Sequence, residues 1–289
     1  MNDKERKREK MDNPVVLALD TSTASLAAAV VRGTEVLGEI GSVAERNHSV
    51  LVVPKLQELL RSCGLTGRQV DGIAAGRGPG SYTGMRIGVT VAKTLAWAWG
   101  KPLVGVSSLE GLAYGAFHRG MEQQAGTADR AGAAAADAGA DDGTTWIVPI
   151  MDARRGQVYT GAFAAGDSGA KWERLADDGI RMMDRWMSEL LQRLEAERHR
   201  RVRNLWIAGD LTQHEAAAGR LGEDVAAAFG DDAPQVRLLT YYMEGRWIGR
   251  LGGYRLAAGE SDDVHALVPN YTQLAEAEAK LLAREEANR

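Results

Sequence analysis

"GRGPGSYTGMRIG" occupies residues 76–88. Five glycines in thirteen residues, with apolar stretches on either side, mark a place where the backbone turns with positive φ or comes close to another group. That group is a phosphate or another piece of the protein. The stretch is not a Walker A loop, because no Gly-Lys-Ser/Thr closes it. Nor is it a dinucleotide fingerprint: Gly78 and Gly80 call for a glycine at position 83, which is Thr83. What remains is a strand, a loop and a helix, with Ser81 or Thr83 as the helix cap. Amides exposed at a helix start attract anions, while glycines also let a helix and a strand pack closely. On this stretch alone both readings stand.

Working outward, "PVVLALDTSTASLAAAVVRGTEVLGEI" (14–40) alternates apolar runs with polar breaks. Residues 15–19 suit a buried strand, and 26–31 and 36–40 its antiparallel neighbours, joined through Arg32-Gly33. The turn "LDTSTAS" (19–25) sets Asp20, Thr21 and Ser22 at the end of the first strand. Such a turn suits phosphate or metal-bound water, and equally an ordinary hydrogen-bonded turn. From Ser49, the residues Leu51, Val52, Leu56, Leu59, Leu60 and Cys63 recur at helical spacing, with Ser49 as the cap. Residues 85–99 read as a second helix, apolar nearly all round and closed by Gly100-Lys101-Pro102. "PLVGVSSLEGLA" (102–113) is a strand entering a further helix. The order β-β-β-α-β-α specifies an α/β fold, mixed sheets flanked by helices.

Residues 119–143 are rich in Ala, Gly and Asp and poor in packing residues, which predicts a low-complexity insertion. "TTWIVPIMDARRGQVYTGAF" (144–163) then reads as a hairpin turning at 152–156. An amphipathic helix over 185–198, a strand in "NLWIAGD", a helix over 212–221 and a tail helix over 272–287 follow. The expected organisation is a charged, disordered tail (1–13), a first domain (14–113), the insertion (119–143), a smaller second domain (144–271) and a closing segment (272–289) that packs back on the first domain.

A chain of 289 residues, 45% hydrophobic and 26% charged, is long enough for two modest domains with real cores. The net charge of −4 argues against a broad basic face for nucleic acid. The single cysteine, Cys63, excludes an internal disulfide and any all-cysteine metal site; among Leu59, Leu60 and Leu65 it reads as a small buried hydrophobe. The opening "MNDKERKREKMD" is charged in both signs and leads into no long apolar run, so a cytoplasmic chain is expected.

Taken in order, "ALDTSTASLAAAVV", "RNHSVLVVPKLQELL", "VDGIAAGRGPGSYTGMRIGVTVAKTLAW", "PLVGVSSLEGLA" and "VPIMDARRGQVYTGAF" closely resemble the TsaB family. The likeness is dense over 14–113, good over 146–163 and looser in "VPNYTQLAEAE" (268–278). It implies the two-domain actin-like ATPase and sugar-kinase fold, with a degenerate second domain. It implies a non-catalytic subunit without cofactor that heterodimerises with a TsaD-type catalytic subunit. The pair serves transfer of a threonylcarbamoyl group to N6 of the adenosine beside the anticodon, in tRNAs reading ANN codons. A TsaE-type ATPase joins the larger complex, and tRNA is met only indirectly.

The resemblance also frames what this chain lacks. The sister subunit places two metal-binding histidines four apart where this chain has Ser108 and Leu112; serine is a poor ligand and leucine is none. Glu110 stays between them without a metal. No catalytic residue and no metal site is expected. Gly209 is followed by Asp210 where nucleotide-binding members carry a glycine pair, and a carboxylate there repels phosphate. Asp20, Thr21, Ser22, Gly78, Gly80, Ser81 and Thr83 are then vestigial phosphate loops. Arg154 and Arg155 read as a solvated hairpin tip or as a contact with partner or tRNA. The expected interface is a four-helix bundle through Leu51, Leu56, Leu59, Met85, Ile87, Val91 and Leu95, which also permits a homodimer when the partner is missing. The alternatives are an ATP-dependent kinase or hydrolase using Asp20 and the 76–84 loop and, behind it, a metal-dependent peptidase.

Overall fold

The computed structural model describes residues 13–42, 48–130, 143–166 and 171–272. The charged tail up to residue 12, the later part of the 119–143 insertion and the tail helix beyond Thr272 lie outside them.

Strand β1 (Val15–Asp20) is buried along its whole length, and its apolar run does not alternate because both faces of its sheet are covered. It pairs antiparallel with β2 (Leu26–Arg32) and parallel with β4 (Gly72–Gly76). With β3 (Glu35–Ser42) and β5 (Leu103–Val106) outside them, the sheet order is β3-β2-β1-β4-β5. The second sheet holds β6 (Thr144–Asp152), β7 (Gln157–Gly166), β8 (Trp172–Met182), β9 (Val202–Gly209) and β10 (Gln235–Thr240) in the order β10-β9-β6-β7-β8. Read from its other edge, that is the plan of the first sheet repeated, hairpin first and parallel strands after. This duplicated mixed sheet is the actin-like, sugar-kinase architecture. The second sheet carries five strands, as the first does.

Among the described residues, six α-helices cover the sheets: α1 (His48–Ser62), α2 (Tyr82–Trp99), α3 (Ser108–Arg130), α4 (Met183–Ala196), α5 (Glu215–Phe229) and α6 (Gly245–Ala257). Helices α1 and α2 pack Val52, Leu56, Leu59, Val89 and Ala92 on the outer face of the first sheet. Helices α4 and α5 cover the outer face of the second with Trp186, Leu190, Leu221 and Val225. Between the sheets lies one continuous core in which α3 and α6 are sandwiched. The helix that follows the first sheet, α3, packs on β6, β7 and β9, and the helix that follows the second sheet, α6, packs on β1, β2 and β4.

Several expectations change. Residues 119–130 continue α3 instead of opening an insertion. Phe117 and Met121 pack in the central core, Gly120 lies against the Trp206 ring, and the Ala- and Gln-rich continuation extends an already anchored helix. Helix α1 begins at His48, so Ser49 falls inside it, and α2 begins at Tyr82. Helix α5 begins at Glu215 and runs to Phe229. The 144–271 domain boundary also moves, since α6 and the stretch after it belong with the first sheet. Helix α6 escaped the periodicity because glycines occupy the face it turns to the sheet: a Cβ on Gly245 would stand 2.6 Å from Ala28 Cα.

Two glycines separate packing from propensity. Gly245→Ala forces α6 off the β2 backbone and is expected to cost about 1–3 kcal/mol. Gly219→Ala, on the exposed side of α5 with nothing within 4 Å of the new carbon, is expected to stabilise by about 0.4–1 kcal/mol. Denaturant unfolding of both variants checks the pair; equal effects would contradict the close approach.

Candidate functional site

Asp20 ends β1 completely buried, and both its carboxylate oxygens are occupied. Oδ1 accepts from the Ser22 N–H at 2.7 Å and from Ser22 Oγ at 2.6 Å, while Oδ2 accepts from Ser108 Oγ at 2.5 Å. Ser108 Oγ in turn accepts from the Gly78 N–H at 2.9 Å, and the Ser108 N–H returns to the Gly78 carbonyl at 2.9 Å. Burial pushes the Asp20 carboxyl above its ordinary range, against the hydrogen bonds from Ser108 and Ser22, which pull it down.

The glycine stretch closes directly on this turn. The Ser81 N–H donates to the Ser22 carbonyl at 2.7 Å, and Thr21 Oγ1 donates to the Gly84 carbonyl at 2.6 Å. A Cβ on Gly80 would stand 2.8 Å from Ser22 Cβ, one on Gly76 2.8 Å from Asp20 Cβ, and one on Gly84 would overlap the Thr21 carbonyl oxygen. What residues 76–88 hold so close is other protein. The expected phosphate loops do meet, but they interdigitate: Asp20, Thr21, Ser22, Gly78 and Gly80 are buried, and Ser81 and Thr83 are exposed. Ser81 is the cap of α2, its Oγ accepting from the Gly84 N–H at 3.3 Å; Thr83 lies in the first turn.

Ser107 and Ser108 open α3. Leu112 is in the central core and Ser108 is spent on Asp20 and Gly78, so neither position faces a ligand. Glu110 accepts from Trp172 Nε1 at 3.1 Å and from Arg174 at 2.9 Å; Arg174 also reaches Asp178 at 2.5 Å, and Asp178 accepts from Ser107 Oγ at 2.6 Å. This polar clamp fastens the start of α3 to β8 and joins the lobes. Arg174, Asp178 and Trp172 carried no sequence signal, because β8 mixes charged and apolar residues without a clear period. Among the described residues, no group of three or more His, Cys, Asp or Glu is placed to hold a metal.

At the matching edge of the second sheet, Asp210 accepts from the Thr212 N–H at 3.2 Å and from Thr212 Oγ1 at 2.7 Å, which makes it a turn residue. His214 is buried with Nε2 3.0 Å from Asp152 Oδ1. Arg154 and Arg155 form the exposed hairpin tip with φ of 65° and 54°, left-handed backbone that arginine seldom adopts.

The expected interface residues divide by helix face. Leu56, Leu59 and Met85 are buried in the chain's own core and are unavailable to a partner. Ile87, Val91 and Leu95 form a half-buried stripe four residues apart along α2, and Leu51 is exposed on α1. Trp97, one of the apolar residues of the 85–99 helix, has 69% of its surface open, and Val53 and Tyr82 are exposed without having been expected at the interface.

Comparison with known proteins gives a consistent picture. A profile of the TsaD family, described as tRNA N6-adenosine threonylcarbamoyltransferase, matches residues 12–126. The tRNA threonylcarbamoyladenosine biosynthesis protein TsaB of Bacillus subtilis is 36% identical over 265 residues, spanning 92% of this chain and 96% of its own length. The tRNA N6-adenosine threonylcarbamoyltransferase of Anaeromyxobacter dehalogenans is 41% identical over 118 residues, but only 35% of each chain is covered. Among solved structures, YeaZ from Pseudomonas aeruginosa superposes with a TM-score of 0.59 at 24% identity, over 89% of this chain and 99% of that one, and so shares its fold.

The buried Asp20 carboxyl makes stability depend on pH in a defined direction. Its folded form keeps a proton to higher pH than the unfolded form, so between the two pKa values the folded state binds more protons and this group's contribution falls as pH rises. Denaturant unfolding at about pH 5 and about pH 8 is expected to show the wild type gaining on Asp20→Asn at the lower pH. A difference that does not change with pH would contradict this account of the turn.

Proposed function

Because this chain belongs to the TsaB family of tRNA threonylcarbamoyladenosine biosynthesis proteins, we propose that it is the non-catalytic subunit that docks a TsaD-type transferase. The docking face is the outer side of α1 and α2. The observation that carries this reading is the set of apolar side chains that α1 and α2 leave uncovered among the described residues: Leu51, Val53 and Trp97 are exposed, and Ile87, Val91 and Leu95 are half-exposed. A surface of this kind on two neighbouring helices suits a bundle with an equivalent pair from a subunit of the same fold. Obligate interfaces of that kind are core-like and bury roughly 2,000 Å² or more. The same face supports a homodimer when the transferase is missing.

The absence of chemistry is supported by saturation of the polar groups around Asp20. Asp20 has no free carboxylate oxygen, and Ser108 and Leu112 are spent on structure. The phosphotransferase alternative needs the loops around Asp20 to part, and the glycine stretch fills the space against them. In the assembled complex a TsaE-type ATPase joins the pair, and tRNA is met through the transferase. The chain's part in the threonylcarbamoyl transfer is to hold its partner in the competent arrangement.

Trp97→Ala removes the most exposed anchor at little cost to the free subunit, and Leu95→Asp puts a charge in the half-buried stripe. Either is expected to weaken binding to the transferase by about 2–4 kcal/mol and to lower tRNA modification in parallel, while thermal unfolding of the free chain changes little for Trp97→Ala. Calorimetric titration with the transferase reads the loss. An intact complex with both variants would remove the interface assignment.

A further inference from the structure

After α6 the chain runs back as a strap across the first lobe. The Asp262 N–H donates to the Leu103 carbonyl at 2.7 Å, and its Oδ2 accepts from the Gly105 N–H at 2.7 Å. Leu267 is buried in the outer core of that lobe. Lys93 Nζ donates to the carbonyls of His265 and Leu267 at 3.1 and 2.9 Å, and the Asn270 N–H donates to the Arg77 carbonyl at 2.7 Å. The strap is therefore secured before it reaches Tyr271.

Tyr271 builds something additional with the start of α2. Its hydroxyl accepts from Arg86 Nε at 2.9 Å. The guanidinium carbon of Arg86 lies 4.1 Å from the Tyr82 ring centre and 5.6 Å from that of Tyr271, with the two rings 5.3 Å apart. Tyr82 and Tyr271 are 45% and 41% exposed, and Arg86 is exposed between them. Its two terminal amino groups have no hydrogen-bond or ion-pair partner among the described residues. The first turn of α2 holds no acidic residue to offset the positive end of the helix.

We propose that Tyr82, Arg86 and Tyr271 form a socket for one aspartate or glutamate side chain of the transferase subunit, which makes the strap part of the docking surface. The inference rests on the reading that the partner sits on the outer side of α2; Arg86 is the direct neighbour of Ile87, where the half-buried stripe begins. A guanidinium with Nε already spent still presents two amino groups in a fixed plane, which is the geometry that grips a carboxylate at two points. Two rings and one hydroxyl hold that plane in the free subunit, so little ordering remains to be done on binding. Tyrosine and arginine are also the side chains on which binding energy concentrates. Fastening the strap does not explain the arrangement, because its backbone bonds and Leu267 already do so. Nor is acid scarce within the chain, which carries 39 acidic residues to 35 basic ones yet sets none of the described acids against Arg86.

The test is titration calorimetry of wild type, Arg86→Met, Arg86→Lys and Tyr271→Phe against the TsaD-type subunit at low and high salt. Thermal unfolding of each free variant serves as the folding control. Arg86→Met is expected to weaken the complex about ten- to a hundredfold and to flatten its salt dependence, with unfolding unchanged. Arg86→Lys recovers only part of the loss, and Tyr271→Phe shows a smaller one. Wild-type affinity in Arg86→Met, alongside weak binding by Trp97→Ala, overturns the socket and leaves the docking face standing. Failure of the wild type itself to bind overturns both. If Arg86→Met leaves subunit affinity intact but weakens tRNA binding by the assembled complex, the occupant is a phosphate and the proposal is wrong.

Discussion

The 76–88 loop closes on the turn after β1 with no clearance for a side chain. Backbone there lies against backbone, and no side chain fits between. Three hydrogen bonds to a fully buried carboxylate hold the turn, which offsets the cost of removing Asp20 from water. Ser108 carries the same network on to α3. The start of α2 is thereby fixed at its first turn, and with it the direction of the helix that presents Trp97 and the Ile87–Leu95 stripe. An aspartate at the end of a first strand can serve a ligand in such a fold. In this chain it sets the angle of a helix.

The lobes are bound together by more than one device. Helices α3 and α6 cross over, each closing the sheet from which it did not arise. The chain Ser107–Asp178–Arg174–Glu110 then ties the first turn of α3 to β8. A charged pair that is only partly exposed and held by several partners contributes more than an isolated surface bridge, though its larger effect is on orientation. Under the proposed role that rigidity is useful, because a docking surface gains from arriving already shaped.

Much of the first lobe was legible in the sequence. Apolar runs gave β1, β2, β4 and β5, and a 3.6-residue period gave α1 and α2 within a few residues of their ends. The meeting of the Asp20 turn with the glycine stretch was legible as proximity but not as to its content, since glycines make room for a phosphate and for a neighbouring loop alike. Burial of Leu56, Leu59 and Met85 was hidden for a related reason. A helix apolar on most sides does not reveal which stripe its own sheet takes, and only the packing register separates Leu59 from Leu51. Helix α6 was invisible because Gly245, Gly249 and Gly252 occupy its buried face, where a pattern search looks for large side chains. Strand β8 was missed because Arg174 and Asp178, its polar members, serve the clamp.

The crossing of α3 and α6 bears on how such a chain can change over generations. Neither half of the gene encodes a self-sufficient body: one half without the other leaves a sheet bare and a helix with nothing to lie on. Shortening by deletion of a lobe is closed to it. A chain of this build keeps both lobes because its parts are braided.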